Sequence, residues 1–374
     1  MRIVLDARHA QDFGIGTYTR NLLQGLAAID QENEYRLVCF AQDRDLLAGL
    51  PGNFTPVLYP HRDTERIDHI RFPLLVKRLK ADLCHIPLNR VPWFLPRPYV
   101  VTVHDMSRQL LAGPGWRNQL SLYRARRGLR RASKVIAVSA ATRRSAETVF
   151  GIPHERIRVI HNALDPAFLA HVAAPEAQAR ALERYGVNGP FVLYVGNIRP
   201  QKNVPRLIEA FSVLRDELKE HERFQNLRLL VVGDDISLYP AVRRAALQTR
   251  TGQAVRFLGH VPLDALKAFY ASASAFAFPS LHEGFGLPPL EAMACGTPVL
   301  TSNVSSLPEV VGGAALTVSP DNVFEIARGL KEILLDPELR ARLIHRGHQQ
   351  VNRFSWERTA REVLDTYREA GTRG

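Results

Sequence analysis

The sequence predicts an α/β protein of two doubly wound domains facing a central cleft, and three observations carry that expectation. Its 374 residues exceed what one hydrophobic core organises, which favours two domains of roughly 150 to 200 residues. Short β-branched runs alternate with amphipathic stretches along the whole length, the pattern of parallel sheets covered by helices. Between the two series, Leu164 to Pro190 shows no strand pattern and carries Asp165-Pro166, Pro175 and Gly189-Pro190. We therefore expect domains at residues 1–170 and 171–352, followed by a terminal segment at 353–374.

The expected strands of the first half are Ile3 to Leu5, Tyr35 to Phe40, Leu83 to Ile86, Tyr99 to Val103, Val135 to Val138 and Ile157 to Ile160. Those of the second are Phe191 to Val195, Leu227 to Val232, Ala254 to Leu258, Ala275 to Phe278, Pro298 to Thr301 and Ala315 to Val318. Val204 to Leu218 is an amphipathic helix between two of these. Pro288 and Pro289 fit the first turn of another helix and Gly296 its end. Phe354-Ser355-Trp356 opens an N-capped helix running to about Ala370.

Composition narrows the function classes. With 46% apolar and 23% charged residues the chain is an ordinary globular one, which excludes disorder, collagen and coiled coil. No run reaches the length of a membrane span, and the first residues read as a strand rather than a signal peptide. Cys39, Cys84 and Cys295 are scattered without metal or redox spacing, so a reducing cytoplasm with structural thiols is expected. The net charge of +12 calls for a phosphate-bearing ligand, an anionic membrane surface or nucleic acid.

In doubly wound sheets ligands lie beyond the carboxyl ends of the strands, so the loops after each apolar run are the ones that carry chemistry. After the first run, Gly14-Ile15-Gly16 lets backbone approach a ligand, and Thr17 opens the next helix; the loop also reads as a plain tight turn. A dinucleotide fingerprint would need glycine where Thr19 stands. His104-Asp105 closes the run Tyr99 to Val103 and faces the cleft. Arg199 and Lys202, three residues apart ahead of a helix, suit a diphosphate, with a solvated basic loop as the bland alternative. Glu283 falls in a glycine-rich loop and Glu291 in the helix behind it, whose positive end favours phosphate.

Taken together, Gly14-Ile15-Gly16, His104-Asp105, Gly196 to Asn203 and the Glu283-x7-Glu291 pattern resemble the retaining glycosyltransferases of family four. Leu258-Gly259-His260 and Ser306-Leu307-Pro308-Glu309 also look like that family. The resemblance implies the GT-B fold of two Rossmann-like domains, the first binding acceptor and the second nucleotide sugar, with the terminal helix crossing back to the first. It implies that Arg199 and Lys202 neutralise the diphosphate, Glu291 takes the ribose hydroxyls, and Glu283 and His104 meet the transferred sugar. The amides of Phe285, Gly286 and Leu287 would bind donor sugar and phosphate, and Gly14 to Gly16 would pass close to phosphate and acceptor.

The loops look most like members that use GDP-mannose, which makes mannose from GDP-mannose the expected donor, with UDP-glucose and related donors open. No metal is expected. Asp43-Arg44-Asp45 has the spacing of a metal motif but reads as a helix start with a capping Asp, and Asp234-Asp235 is followed by Ile236. His345 and His348 read as surface residues.

Between Asp105 and Glu147 no acid occurs, while Arg108, Arg124, Arg126, Arg127, Arg130 and Arg131 do, interleaved with Trp116, Leu120, Leu122, Tyr123 and Leu129. Such a helix lies on anionic lipid or forms a solvated face over a core. We expect a cytoplasmic enzyme, peripheral on the inner face of the plasma membrane. Its acceptor would be a glycan or lipid-linked sugar, in polysaccharide or lipopolysaccharide biosynthesis. The alternatives are an epimerase or phosphorylase on the same fold, or a nucleic-acid-binding protein; no nucleic-acid module motif appears, so nucleic acid is not expected as a partner.

Overall fold

The computed structural model describes every residue except Phe13, Arg250 and residues 107–114, 170–173 and 372–374. The chain divides into two compact units, Met1–Ala163 with Phe354–Gly374, and Leu164–Arg353. The expected boundary between 170 and 171 lies outside the described residues.

The first unit holds a seven-stranded parallel sheet in the order β3-β2-β1-β4-β5-β6-β7. Its strands are β1 Arg2–Asp6, β2 Glu34–Cys39, β3 Phe54–Leu58, β4 Leu83–Ile86, β5 Tyr99–Val103, β6 Lys134–Ala137 and β7 Ile157–Val159. The sequence reading missed β3. Pro56 sits in its middle, opposite Leu37 of β2, and a strand lacking that N–H is tolerated at a sheet edge, which is where β3 lies. All five residues of β5 are buried, as expected of a strand covered on both faces.

The second unit repeats the plan with six parallel strands in the order β10-β9-β8-β11-β12-β13. They are β8 Phe191–Val195, β9 Arg228–Val232, β10 Val255–Gly259, β11 Ala275–Phe278, β12 Val299–Ser302 and β13 Ala315–Val318. In each sheet the strand order reverses once, between β1 and β4 and between β8 and β11. Crevices at such reversals are where doubly wound sheets bind ligands.

The helix Trp356–Gly371 belongs to the first unit. Trp356, Ala360, Val363, Leu364, Tyr367 and Ala370 recur at helical spacing and share one core with Ile3, Leu5, Tyr18, Leu22 and Tyr35. The helix Ile15–Ile29 lies directly against it: a side chain on Gly25 would stand 2.9 Å from the Ala360 Cβ.

Candidate functional site

In the second unit the candidate residues gather at the β8/β11 reversal, and the packing of neighbouring loops explains how. Past β8 and β9 the chain segments approach so closely that a Cβ on Gly233 would fall 1.9 Å from the Gly196 carbonyl oxygen. Asp234 accepts hydrogen bonds from the Ile198 amide at 3.2 Å and the Tyr239 hydroxyl at 2.7 Å, which fixes the segment leading to Arg199. Asn203, in the left-handed conformation at φ 60°, donates to the carbonyls of Pro279 at 3.1 Å and Pro320 at 2.7 Å. These contacts tie the loops after β8, β11 and β13 together. The helix Val204–Glu217 follows, where a helix was expected.

The loop so held brings Lys202 onto Glu283. The Lys202 Nζ lies 2.6 and 2.7 Å from the two Glu283 oxygens and 5.3 Å from the centre of the Phe278 ring. The two side chains are 15% and 10% exposed, so the pair is sheltered yet reachable. Arg199, by contrast, is exposed and makes no ion pair among the described residues.

Ser305 and Ser306 brace the acidic loop. Ser305 Oγ accepts from the Glu283 amide at 3.2 Å and donates to its carbonyl at 2.7 Å; Ser306 Oγ lies 2.7 Å from the Phe285 carbonyl. Phe285 is buried, and Gly286, at φ 112°, precedes the helix Leu287–Ala294 with no side chain capping it. Pro288 and Pro289 carry no N–H, so the main-chain donors at this positive end are those of Gly286, Leu287 and the loop before them. Farther along, Glu291 accepts from the Tyr270 hydroxyl at 2.7 Å. Burial pushes the Glu291 carboxyl up to about 7, against the opposing effect of that hydrogen bond.

In the first unit the structure revises the glycine loop. The helix opens at Ile15 rather than Thr17, with Gly14 at φ 73° before it and, among the described residues other than its chain neighbours, no atom within 4 Å of where its side chain would stand. Gly16 lies inside the helix, and a Cβ there would fall 2.6 Å from the Ala10 carbonyl oxygen. The folding of the loop onto itself therefore already requires a glycine at 16. His104 follows β5, as expected. One of its ring nitrogens bonds the carbonyl of Pro87, while Nε2 is buried without a hydrogen-bond partner among the described residues; burial holds the ring down at about 4, hence neutral.

Asp43 corrects another expectation. It lies in the first turn of the 3₁₀ helix Ala41–Leu47, whose N-cap is Phe40; it is buried, and one carboxylate oxygen has no hydrogen-bond partner among the described residues. His345 and His348 are on the surface, as read. The basic stretch forms the helix Trp116–Arg131, while Arg108 lies outside the described residues. Ala125 and Leu129 are buried and Leu122 packs on the core, whereas Trp116, Leu120 and Tyr123 are exposed. Arg127 donates to the Trp93 carbonyl at 2.8 Å, with its guanidinium 4.7 Å from the Trp93 ring centre.

The sequence reading named Asp234 and Asn203 without their bracing roles, and missed Ser305 and Tyr270 altogether. Asn203 and Ser305 are non-glycine residues with positive φ, which a sequence does not announce, and Tyr270 meets Glu291 across 21 positions of chain.

Two doubly wound parallel units, with their candidate residues past the strand ends, make the architecture of the GT-B glycosyltransferases. Sucrose-phosphate synthase of Thermosynechococcus elongatus has the same fold at a TM-score of 0.77 and 21% identity over all of both chains. HepE of Anabaena in complex with UDP-glucose gives 0.78 at 18%, over 98% of this chain and 99% of that one. Residues 177–350 match the family of glycosyl transferases group 1, and residues 14–168 match glycosyltransferase family 4. The chain is 30% identical to O-antigen chain mannosyltransferase B of Escherichia coli, over 95% of this chain and 96% of that one. It is 31% identical over 75% of its length to the serotype-specific mannosyltransferase WbdA of Escherichia coli, spanning only 34% of that longer protein. The chain belongs to the group 1, family 4 glycosyltransferases.

Proposed function

We propose that this glycosyltransferase is a retaining mannosyltransferase. It takes mannose from GDP-mannose and passes it, without a metal ion, to a glycan or lipid-linked acceptor in surface polysaccharide or lipopolysaccharide biosynthesis. The observation that carries the reading is the Lys202–Glu283 pair at the β8/β11 reversal, beside the uncapped helix Leu287–Ala294. Mannose is favoured because the relatives named above are mannosyltransferases, one of them matched over nearly its full length.

The chemistry follows from the charges that develop. Breaking the bond from the anomeric carbon to the phosphate oxygen leaves a diphosphate anion and an oxocarbenium-like sugar, so groups that quench the leaving charge lower the barrier most. Lys202 has three N–H donors and Glu283 takes two, so an arriving diphosphate competes with Glu283 for the ammonium. Arg199 and the amides of Phe285, Gly286 and Leu287 add to the same anion site. Glu283, relieved of Lys202, turns to the sugar hydroxyls; Glu291 takes the ribose hydroxyls; the neutral His104 contacts the transferred sugar. For retention, the acceptor oxygen bonds to the anomeric carbon on the face the phosphate leaves, and its proton passes to the departing phosphate oxygen.

Thermal shift against GDP, UDP, ADP and dTDP sugars tests the donor, since the true one stabilises the fold by linkage. GDP-mannose should give the largest shift; a larger one with another nucleotide sugar would replace it. Turnover should survive chelators, and its loss in EDTA would refute metal independence.

We place the enzyme on the anionic inner face of the plasma membrane. No helix among the described residues is long and apolar enough to cross a membrane. Instead, three elements of the first unit meet at Trp93: the helix Asp68–Arg78 through His69, the segment carrying Phe94, and the basic helix through Tyr123, Arg124 and Arg127. Ile70, Leu74, Phe94, Trp116, Leu120 and Tyr123 on these elements are exposed, and Trp116 is 72% so. Apolar side chains among arginines fit a headgroup layer. Flotation with phosphatidylglycerol vesicles should carry the protein up, and binding that persists after neutralising Arg124, Arg126, Arg130 and Arg131 would contradict the assignment.

A further inference from the structure

Beneath His104 the first unit buries a chain of polar side chains that its core does not require. Tyr18, His85, Thr102 and Tyr367 are each 2% exposed or less. The Tyr367 hydroxyl lies 2.6 Å from His85 Nδ1, His85 Nε2 lies 2.8 Å from Thr102 Oγ1, and Thr102 Oγ1 lies 3.2 Å from the Tyr18 hydroxyl. Burial holds the His85 imidazole down at about 3, so it is neutral. One of its nitrogens donates and the other accepts, and Tyr367 and Thr102 therefore play opposite parts towards it. Taking four polar groups out of water is costly unless each is bonded, and apolar residues of similar shape would fill the same space without that demand. What a fully bonded network adds is one fixed geometry.

That geometry ends at His104. The Tyr18 ring meets the His104 ring edge-on, with centres 4.5 Å apart, and meets Trp356 on the terminal helix at 5.8 Å. Tyr18 also lies in the first turns of the helix that Gly14 precedes. From the other direction, His104 is bonded to the carbonyl of Pro87, two residues beyond His85. The imidazole is thus held by the residue after β4 on one side and by Tyr18 on the other, and its remaining nitrogen, Nε2, has no hydrogen-bond partner among the described residues.

We infer that the terminal helix Trp356–Gly371 sets the pose of His104 for turnover, with Tyr18, His85 and Tyr367 as positioning residues. The inference rests on His104 contacting the transferred sugar. It gives the terminal helix a part in the chemical step although the helix supplies no group that touches substrate.

Tyr367→Phe removes one hydroxyl and keeps the ring, so it tests the network without emptying the core. In the full chain it should lower kcat roughly tenfold, the scale of a small misplacement of a reacting group, while donor KM and the affinity for nucleoside diphosphate stay within about twofold. The His104 ring resonances should move in NMR spectra. Tyr35→Phe is the control: it removes a hydroxyl bonded to Asp30 in the same core and should leave kcat and the His104 resonances unchanged. In a His104→Ala background, Tyr367→Phe should cost nothing further. An equal loss in both backgrounds, or unchanged kcat and His104 resonances in Tyr367→Phe, would overturn the inference. Normal turnover in His104→Ala alone would instead remove the sugar contact on which it stands, and the inference with it.

Discussion

Just past the first strand of each sheet the chain sets a cation against carboxylate, and the two arrangements serve opposite ends. Beyond β1, Arg8 is 1% exposed: Asp6 grips it from two oxygens at 2.8 Å, Asp68 and the His61 carbonyl each lie 2.9 Å away, and the Phe72 ring packs at 4.6 Å. Burial works against that charge, but Asp6 and Asp68 outweigh it and keep the guanidinium protonated. Beyond β8, Lys202 makes two hydrogen bonds to a single carboxylate, and its third donor has none among the described residues. A cation at a strand end is structural when two carboxylates and a carbonyl enclose it in the core, and available for chemistry when a single carboxylate holds it. Breaking the first arrangement should therefore cost stability. Asp6→Ala leaves a buried guanidinium short of its bidentate partner and should cost about 3–5 kcal/mol in denaturant unfolding. A loss below about 1 kcal/mol would put the Arg8 cluster in the class of weak surface pairs and erase the contrast.

The second arrangement should show the reverse profile. Lys202→Ala removes a charge that acts as the leaving group departs, and turnover should fall on the order of 100-fold, or about 2.7 kcal/mol of barrier. If Lys202 served only to neutralise Glu283, adding Glu283→Gln would restore the rate. The expected result is that the double variant stays at least as impaired as Lys202→Ala, measured as initial rates at saturating donor.

What was legible in the sequence divides along the same line. The alternation of apolar runs and helices placed twelve of the thirteen strands; the central ones, such as β5 and β8, are buried along their whole length and are written as continuous apolar runs. β3 escaped because Pro56 argues against a strand anywhere but an edge, and edge position is settled only by the assembled sheet. The loops were legible because strand ends and helix starts locate them. How their side chains pair was not. Nothing local says that Lys202 and Glu283, 81 positions apart, share two hydrogen bonds, or that Asp234 anchors a main-chain amide. Gly16 shows a constraint of the same kind: the Ala10 carbonyl leaves no room for a side chain there, and nothing local to Gly16 says so.

Glu291 gives the finest test, because its behaviour depends on burial, which raises its pKa, on the Tyr270 hydroxyl, which lowers it, and on the Asp165 charge, which raises it, none of them visible in its helix. In the folded chain the carboxyl titrates at about 7, above its ordinary value near 4.5, so the folded state binds more protons than the unfolded one between those values. Its contribution to stability therefore falls as pH rises from about 4.5 to 7 and rises again on acidification. Donor binding should run the other way, since the ionised carboxylate accepts hydrogen bonds from both ribose hydroxyls while the protonated form must spend its own proton elsewhere. Donor KM should accordingly increase roughly tenfold between pH 8 and pH 6 as the carboxylate fraction shrinks. Tyr270→Phe removes the hydrogen bond that opposes desolvation and should move the inflection to higher pH, whereas Glu291→Gln should flatten the profile. A wild-type donor KM that stays level from pH 6 to 8 would take Glu291 out of the donor site. The Lys202–Glu283 pair would then be the part of the second unit's crevice on which the comparison with Arg8 still rests.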